Sequence, residues 1–273
     1  MKKLVQFNAL LEQIHNHPDA DFYRKKWGVL YAHPFDSFED LKYLSIIMAE
    51  DFLENPIEKR LYTKGKSLTK IILYGPRRFL IKRELNELRR EQYGFLGERP
   101  AVLFKDNHEA IEKSFWCYER NALPLIAENA NDSAALFSIE RYNTDSLFCD
   151  FSMLKELFDK KPDADFSSIR HYNIIGDYFD SKLILKYIEP KKLNLILALS
   201  ETGAFAFSCP DGLLSGKMIF HPDKNSVLEI NGRLIITKLL FMPTPVIRYM
   251  VDIFVESQEY DCNCEEKVSF VIL

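Results

Sequence analysis

Glycine is scarce in this chain, at 10 of 273 residues. Backbone amides reach phosphate oxygens closely only where side chains are absent, so this scarcity argues against a protein built on several glycine-rich phosphate loops. Charge of one sign is missing too: 36 basic and 40 acidic residues leave a net charge of -4. Such a balance gives no electrostatic reason to expect nucleic acid or an anionic membrane as the main partner. No apolar run has the length needed to cross a bilayer. Met1-Lys2-Lys3 leads into amphipathic spacing with Asn8, Glu12 and Gln13, not into the apolar core of a signal peptide. A soluble, cytoplasmic protein without membrane insertion is expected. Cysteine is limited to five scattered residues, Cys117, Cys149, Cys209, Cys262 and Cys264, a set that suits a reducing compartment better than a disulfide-framed secreted domain. Cys262-Asn263-Cys264 could begin a metal site, but no second cysteine pair or nearby histidine in the sequence completes four ligands, so none is expected there.

Apolar and aromatic residues are plentiful: 47% of the chain is hydrophobic, with 21 Phe and 13 Tyr, enough for a substantial core in two packed units. Leu193-Asn194-Leu195-Ile196-Leu197-Ala198-Leu199 is a nearly unbroken apolar run, the pattern of a strand buried on both faces of a parallel sheet. It ends in Ser200-Glu201-Thr202-Gly203. Ligands of open α/β sheets collect beyond the carboxyl ends of the strands, which makes Ser200 and Glu201 candidates for a site.

Before that run, strand-like and helix-like segments alternate. Pro100–Phe104, Pro124–Ile126, Leu147–Cys149 and Ile169–Ile175 read as strands, and helices are predicted over Ser133–Glu140, Met153–Phe158 and Ser181–Tyr187. Ser152 is the expected N-cap of the second of these helices. Helices are also predicted at the amino end through Leu4, Phe7, Leu10, Leu11 and Ile14, over Arg77–Gly94, and around Ile111 to Tyr118. Thr63-Lys64-Gly65-Lys66-Ser67 lies between two short apolar segments, as either a phosphate-cradling loop or a plain β-hairpin turn. From Gly212 the strands shorten and are parted by Pro222-Asp223-Lys224-Asn225 and Asn231-Gly232. The expectation is an α/β fold: a helical lead-in and mostly parallel sheet with crossover helices over residues 1–210, then a small antiparallel β-barrel or sandwich over 211–273.

The order of Phe22-Tyr23-Arg24-Lys25-Lys26, the Thr63 to Lys70 loop, Ile174-Ile175-Gly176-Asp177, Leu199-Ser200-Glu201-Thr202-Gly203 and Arg248-Tyr249-Met250-Val251-Asp252 resembles the adenylate-forming superfamily, most closely its phenylacetate-CoA ligase branch. Family members join a carboxylic acid to AMP from Mg-ATP and usually pass the acyl group to a thiol. The resemblance implies that Thr63, Gly65 and Ser67 answer to the phosphate loop, Gly176 and Asp177 to the turn beside the adenine, Ser200 and Glu201 to the motif whose glutamate helps hold Mg²⁺, and Asp252 to the aspartate that binds the ribose.

Several positions depart from the family's pattern. Lys64 and Lys66 intrude in the loop, Leu68 replaces a glycine, the adenine-stacking tyrosine is missing before Ser200-Glu201, and the Arg248 motif is one residue short. The family's mobile C-terminal domain, whose lysine stabilises the charge developing in adenylation, is expected to be missing; loss of one such donor costs about 2.7 to 4 kcal/mol. These departures imply a non-catalytic relative, serving as a protein-interaction or scaffold subunit of a larger assembly, with a vestigial nucleotide site and no cofactor. The alternatives are an acyl-AMP-forming ligase using Mg-ATP and completed by a partner chain, or a nucleotide or acyl sensor.

Overall fold

Parallel strands joined by crossover helices carry the chain through its middle, as the alternating pattern predicts. The computed structural model describes residues 2–16, 21–28, 33–48, 51, 60–63, 70–73, 97–107, 110, 117, 122–126, 134–160, 162–199, 202–239 and 245–273. The helix expected over Arg77–Gly94, and most of that around Ile111 to Tyr118, lie outside these residues. Among the described residues eleven strands, numbered in chain order from β3 (Pro100–Phe104) to β13 (Phe270–Ile272), form a mixed sheet of order β10-β11-β12-β13-β9-β8-β7-β6-β5-β3-β4, and β1 (Arg60–Thr63) pairs separately with β2 (Lys70–Leu73). The α/β class is as expected.

The chain divides into one unit of Met1–Ile81, Ala198–Ala206 and Ile219–Leu273, and another of Lys82–Leu197 and Phe207–Met218. The single cut expected near Pro210 is therefore replaced by an interleaved division. Residues 198–206 group with the chain after residue 219 and not with the segment that precedes them. The expected C-terminal barrel or sandwich is a run of antiparallel strands within the eleven-stranded sheet.

In the second unit, β3 (Pro100–Phe104), β4 (Leu123–Ile126), β5 (Ser146–Cys149), β6 (His171–Gly176) and β7 (Leu193–Leu199) pair in parallel. Every residue of β3 and β5 is buried, as strands covered on both faces must be. Helix α3 (Ala134–Tyr142) leads to β5, α4 (Phe151–Lys160) follows it, and α5 (Ser181–Tyr187) connects β6 toward β7. The N-cap expected of Ser152 falls to Asp150, whose carboxylate accepts from the Ser152 N–H at 2.7 Å and its hydroxyl at 2.6 Å. Asp180 caps α5 by accepting from the Leu183 N–H at 3.0 Å.

Polar side chains cross this apolar sheet in a short ladder. Asn194 donates to the Asn173 Oδ1 and Asn173 donates to the Ser146 hydroxyl, each at 2.9 Å and buried. Asn173 and Asn194 are register partners, so the ladder pins β7 to β6 to β5 in one alignment. Before β5, the buried Asp145 accepts from the Glu98 and Arg99 N–H groups at 2.9 Å and from Arg170 at 2.8 Å.

The first unit holds α1 (Lys2–His15), which buries Phe7, Leu10, Leu11 and Ile14, and α2 (Asp21–Trp27), ended by Gly28 at φ +60°. The turn starting at Ser37 is a 3₁₀ helix, Phe38–Tyr43, closed by a Ser37–Asp40 capping box. Strand β9 (Phe220–Pro222) follows β8 (Gly203–Ser208) and the short helix α6 (Pro210–Leu214). The residue pattern anticipated neither β8 nor α6. Then come β10 (Ser226–Asn231), β11 (Arg233–Lys238), β12 (Tyr249–Ser257) and β13 (Phe270–Ile272), paired antiparallel in the order β10-β11-β12-β13-β9.

Buried polar groups tie distant parts of this unit together. Lys238 Nζ donates at 2.7 Å to the Asp223 carboxylate, to the Ser226 hydroxyl and to the Ala204 carbonyl, three acceptors for its three protons. Tyr23 on α2 donates to the Pro245 carbonyl at 2.7 Å. Lys3 at the amino end donates to the Ser226 carbonyl at 3.2 Å and pairs with Glu266.

Candidate nucleotide site

Strands β6 and β7 run in parallel, and their register places Gly176 opposite Leu197. Their carboxyl ends therefore open onto one edge. The first motif, Gly176-Asp177, leaves β6 there. The chain reaches Ser200 three residues and Glu201 four residues after Leu197, but both lie outside the described residues.

The turn packs tightly at Gly176. A Cβ on it would lie 3.3 Å from the Phe179 ring and 3.4 Å from the Tyr178 carbonyl oxygen, and Phe179 is buried. The missing side chain lets Phe179 fold under the strand end, while Asp177 is exposed to solvent directly after it. The edge therefore offers a close backbone and an accessible carboxylate, which suit a polar heterocycle or hydroxyl better than a buried apolar ligand.

The neighbouring ionisable side chains are poor reagents. Burial, then the charge of Asp150, pushes the Cys149 thiol at the end of β5 well above its ordinary value. Burial, then Cys149, likewise raises the Tyr172 phenol. A thiol held protonated in this way is a weak nucleophile, so the arrangement provides no covalent acyl carrier at Cys149.

The remaining expected positions belong to the first unit. Thr63 closes β1, its backbone paired with Lys70 of the antiparallel β2. Gly65 and Ser67 lie outside the described residues. Asp252 lies on β12, whose buried and exposed residues alternate from Val251 to Val255. Its exposed carboxylate faces Arg233 at 3.6 Å. Arg248, four residues earlier, is buried with φ +50°. Its guanidinium makes two parallel bonds to Glu229, at 2.9 and 2.8 Å, and also donates to the Leu44 carbonyl. Its N–H donates to the Thr237 hydroxyl at 3.0 Å. Arg248 is therefore a tertiary clamp, a role that the motif gave no sign of, since Leu44, Glu229 and Thr237 are scattered in sequence.

Glu201 is the expected magnesium ligand only where Mg-ATP binds. That residue is outside the described residues, so the chemistry of the edge rests on Gly176 and Asp177.

The fold is that of the adenylate-forming enzymes. The chain aligns with 2-hydroxyisobutyryl-CoA ligase in its open conformation, in complex with 2-HIB-AMP and CoA, at a TM-score of 0.72 and 13% identity, over 97% of this chain and 71% of that one. A second structure of that ligase, in the postadenylation state with 2-HIB-AMP, gives a TM-score of 0.71 at 13% identity over 98% of this chain. This chain spans 65% of it, about two-thirds of the ligase's length. o-Succinylbenzoate CoA synthetase from Bacillus subtilis, in complex with OSB-AMP, aligns at a TM-score of 0.56 and 13% identity over 78% of this chain and 61% of its own. No family model matches the sequence, and no curated protein matches it. Among the described residues, no helix is long and apolar enough to cross a membrane.

Proposed function

We propose that this chain forms the adenylate-holding part of an acid-activating ligase: it binds an adenine nucleotide and a carboxylic acid at the carboxyl edge of β6 and β7, where an acyl adenylate forms. The single observation that carries this reading is the parallel register of β6 and β7, which sets the Gly176-Asp177 turn at the end of a strand beside the one leading to Ser200-Glu201. The solved ligases of this fold carry acyl-AMP adducts, which supports the same reading.

In this reading the acid's carboxylate attacks the α-phosphorus of ATP, a C–O–P linkage forms, and pyrophosphate leaves. Asp177 accepts a hydrogen bond from the nucleotide, Thr63, Gly65 and Ser67 line the departing phosphates, and Asp252 takes the ribose hydroxyls. Glu201 would hold a Mg²⁺ ion, which would offset phosphate charge. The decisive experiment has two parts. AMP and Mg-ATP should raise the melting temperature, because a ligand that binds only the folded state stabilises it. A panel of aromatic and short branched acids should then release pyrophosphate from ATP, and Glu201→Gln should lower that release at least about tenfold. No stabilisation by either nucleotide at millimolar concentration would sink the reading.

A second reading has its own support. The Asp252 carboxylate is paired with Arg233 on an exposed strand face, and Lys64, Lys66 and Leu68 stand in the loop where small residues suit phosphates. A chain with this scaffold and no surviving chemistry would act as an interaction subunit of a larger assembly. It predicts nucleotide-independent stability, and biological activity unchanged in Glu201→Gln.

A further inference from the structure

The twelve residues 258–269 between β12 and β13 form neither helix nor strand. Their sequence, Gln-Glu-Tyr-Asp-Cys-Asn-Cys-Glu-Glu-Lys-Val-Ser, offers little apolar surface to bury, and Val268 is exposed. Ordering each residue costs about 1 to 2 kcal/mol of backbone entropy, so a long polar loop needs some specific fastening. Near its middle the loop nevertheless folds inward: Cys262 is buried beside His221 of β9, itself buried.

The geometry there is that of a ligand set. His221, Cys262 and Cys264 each present one donor atom, all within 4.8 Å of one another. The Cys262 Sγ lies 3.5 Å from the His221 Nε2. Zinc bonds of about 2.3 Å to sulfur and 2.0 to 2.1 Å to nitrogen, at a tetrahedral angle, place those two ligand atoms about 3.6 Å apart. The opposite ring nitrogen, Nδ1, is 2.8 Å from the Val268 carbonyl oxygen. Nδ1 can only donate to a carbonyl, so in the neutral ring the proton sits there and the Nε2 lone pair faces the cysteines. Fixing the tautomer through the far nitrogen in this way is how metal-binding histidines are oriented.

We propose that His221, Cys262 and Cys264 bind a zinc ion that fastens the 258–269 loop to β9, with Cys209 as the fourth ligand. Sulfur and nitrogen donors select zinc among common divalent ions, and a buried, fully protein-ligated set is structural, with no position open to substrate. The Cys209 assignment follows from the sheet order: β9 neighbours β8, and Asp223, two residues after His221, donates its N–H to the Phe205 carbonyl of β8 at 2.9 Å. Cys209 lies immediately beyond β8 and is buried. The expectation that no histidine joins Cys262 and Cys264 is thus corrected: the histidine lies 41 residues away in sequence, on a neighbouring strand.

The test is metal analysis of the full chain purified under reducing conditions. About one equivalent of zinc per chain is expected. Replacement by Co²⁺ should give thiolate-to-cobalt charge-transfer absorption together with the intense visible bands of a tetrahedral site. His221→Ala, Cys262→Ser, Cys264→Ser and Cys209→Ser should each lower zinc retention by more than about tenfold, whereas Cys117→Ser should leave it unchanged. The wild-type cobalt spectrum keeps the proposal testable even if a ligand variant fails to fold. Retention below about one-tenth equivalent by zinc-supplied wild-type protein would overturn it, as would a cobalt adduct without thiolate bands or a Cys262–Cys264 disulfide in the reduced preparation. Full retention in Cys209→Ser would overturn the fourth-ligand assignment.

Discussion

The parallel strands β3 to β7 and the antiparallel strands β9 to β13 hold themselves together by different means. In the parallel set, burial on both faces does most of the work, and the polar ladder of Ser146, Asn173 and Asn194 adds alignment between adjacent strands. In the antiparallel set one face of β12 is solvated. There the fastening comes from buried charged groups that reach across the sequence: Lys238 to Asp223, Arg248 to Glu229 and Leu44. The difference is one of kind: neutral side chains linking neighbouring strands align the parallel set, while buried ion pairs between residues far apart in sequence fasten the antiparallel one.

The comparison is most easily broken at Lys238. Lys238→Ala leaves the Asp223 carboxylate buried without its counter-ion and should cost about 3 to 5 kcal/mol in a chemical unfolding experiment. A loss below about 1 kcal/mol would mean that water replaces the ammonium and that the pair is not a fastening.

Asp145 in the parallel unit comes next. Burial alone would raise its carboxyl, but the N–H groups of Glu98 and Arg99 and the side chain of Arg170 outweigh it and hold the group below the usual carboxylate range. Asp145→Asn should therefore destabilise by about 1 to 3 kcal/mol at neutral pH. Because the folded value is depressed, the stabilisation is complete above the unfolded value of about 3.9 and is lost as pH falls through the folded one. The gap between wild type and variant should close under acid, and a gap independent of pH would show that the carboxylate charge is not responsible.

Asn173→Ala tests the ladder itself. It removes the acceptor of Asn194 and the donor to Ser146, for an expected loss of about 1 kcal/mol or somewhat more. If the loss equalled that of Lys238→Ala, the contrast between the two sets of strands would fail. The smallest effect is expected at Asp252→Asn, since its partner Arg233 is also exposed and screened pairs contribute little. A sizeable loss of stability there would give Asp252 a structural role that its exposed face does not suggest.

Much of the parallel set is legible in the sequence. The unbroken apolar run from Leu193 becomes β7, and the strands beginning near Pro100, Leu147 and Ile169 are where periodicity and apolar clustering predict them. Gly176-Asp177 reads as a strand-end turn because glycine followed by an acid is a local signal. The tertiary reason for that glycine, the ring of Phe179 beneath it, is also only three residues away. Arg248 is different: its residue type fits a nucleotide motif, yet its partners are Leu44, Glu229 and Thr237. Asp252 likewise can be named from a motif, but its direction is set by the alternation of β12 and its register against β11.

The division into units shows the same limit. Composition changes near Pro210, and a boundary there is the natural local reading, but β8 and β9 extend the sheet that earlier strands begin. Hydrogen bonding between strands ignores sequence distance, and composition does not.

By itself the sequence determined most of the parallel strands and the helices α1, α3, α4 and α5, because apolar periodicity acts over a few residues, while β8 and α6 carried no such signal. It also carried the resemblance to acid-activating ligases, whose fold the structure has. Only the tertiary structure decided that Arg248 is a clamp, that Lys238 is a buried cation with three acceptors, and that His221 faces Cys262. Those pairings depend on sheet register and strand order, which bring together residues tens to hundreds of positions apart, and no local pattern encodes such a distance.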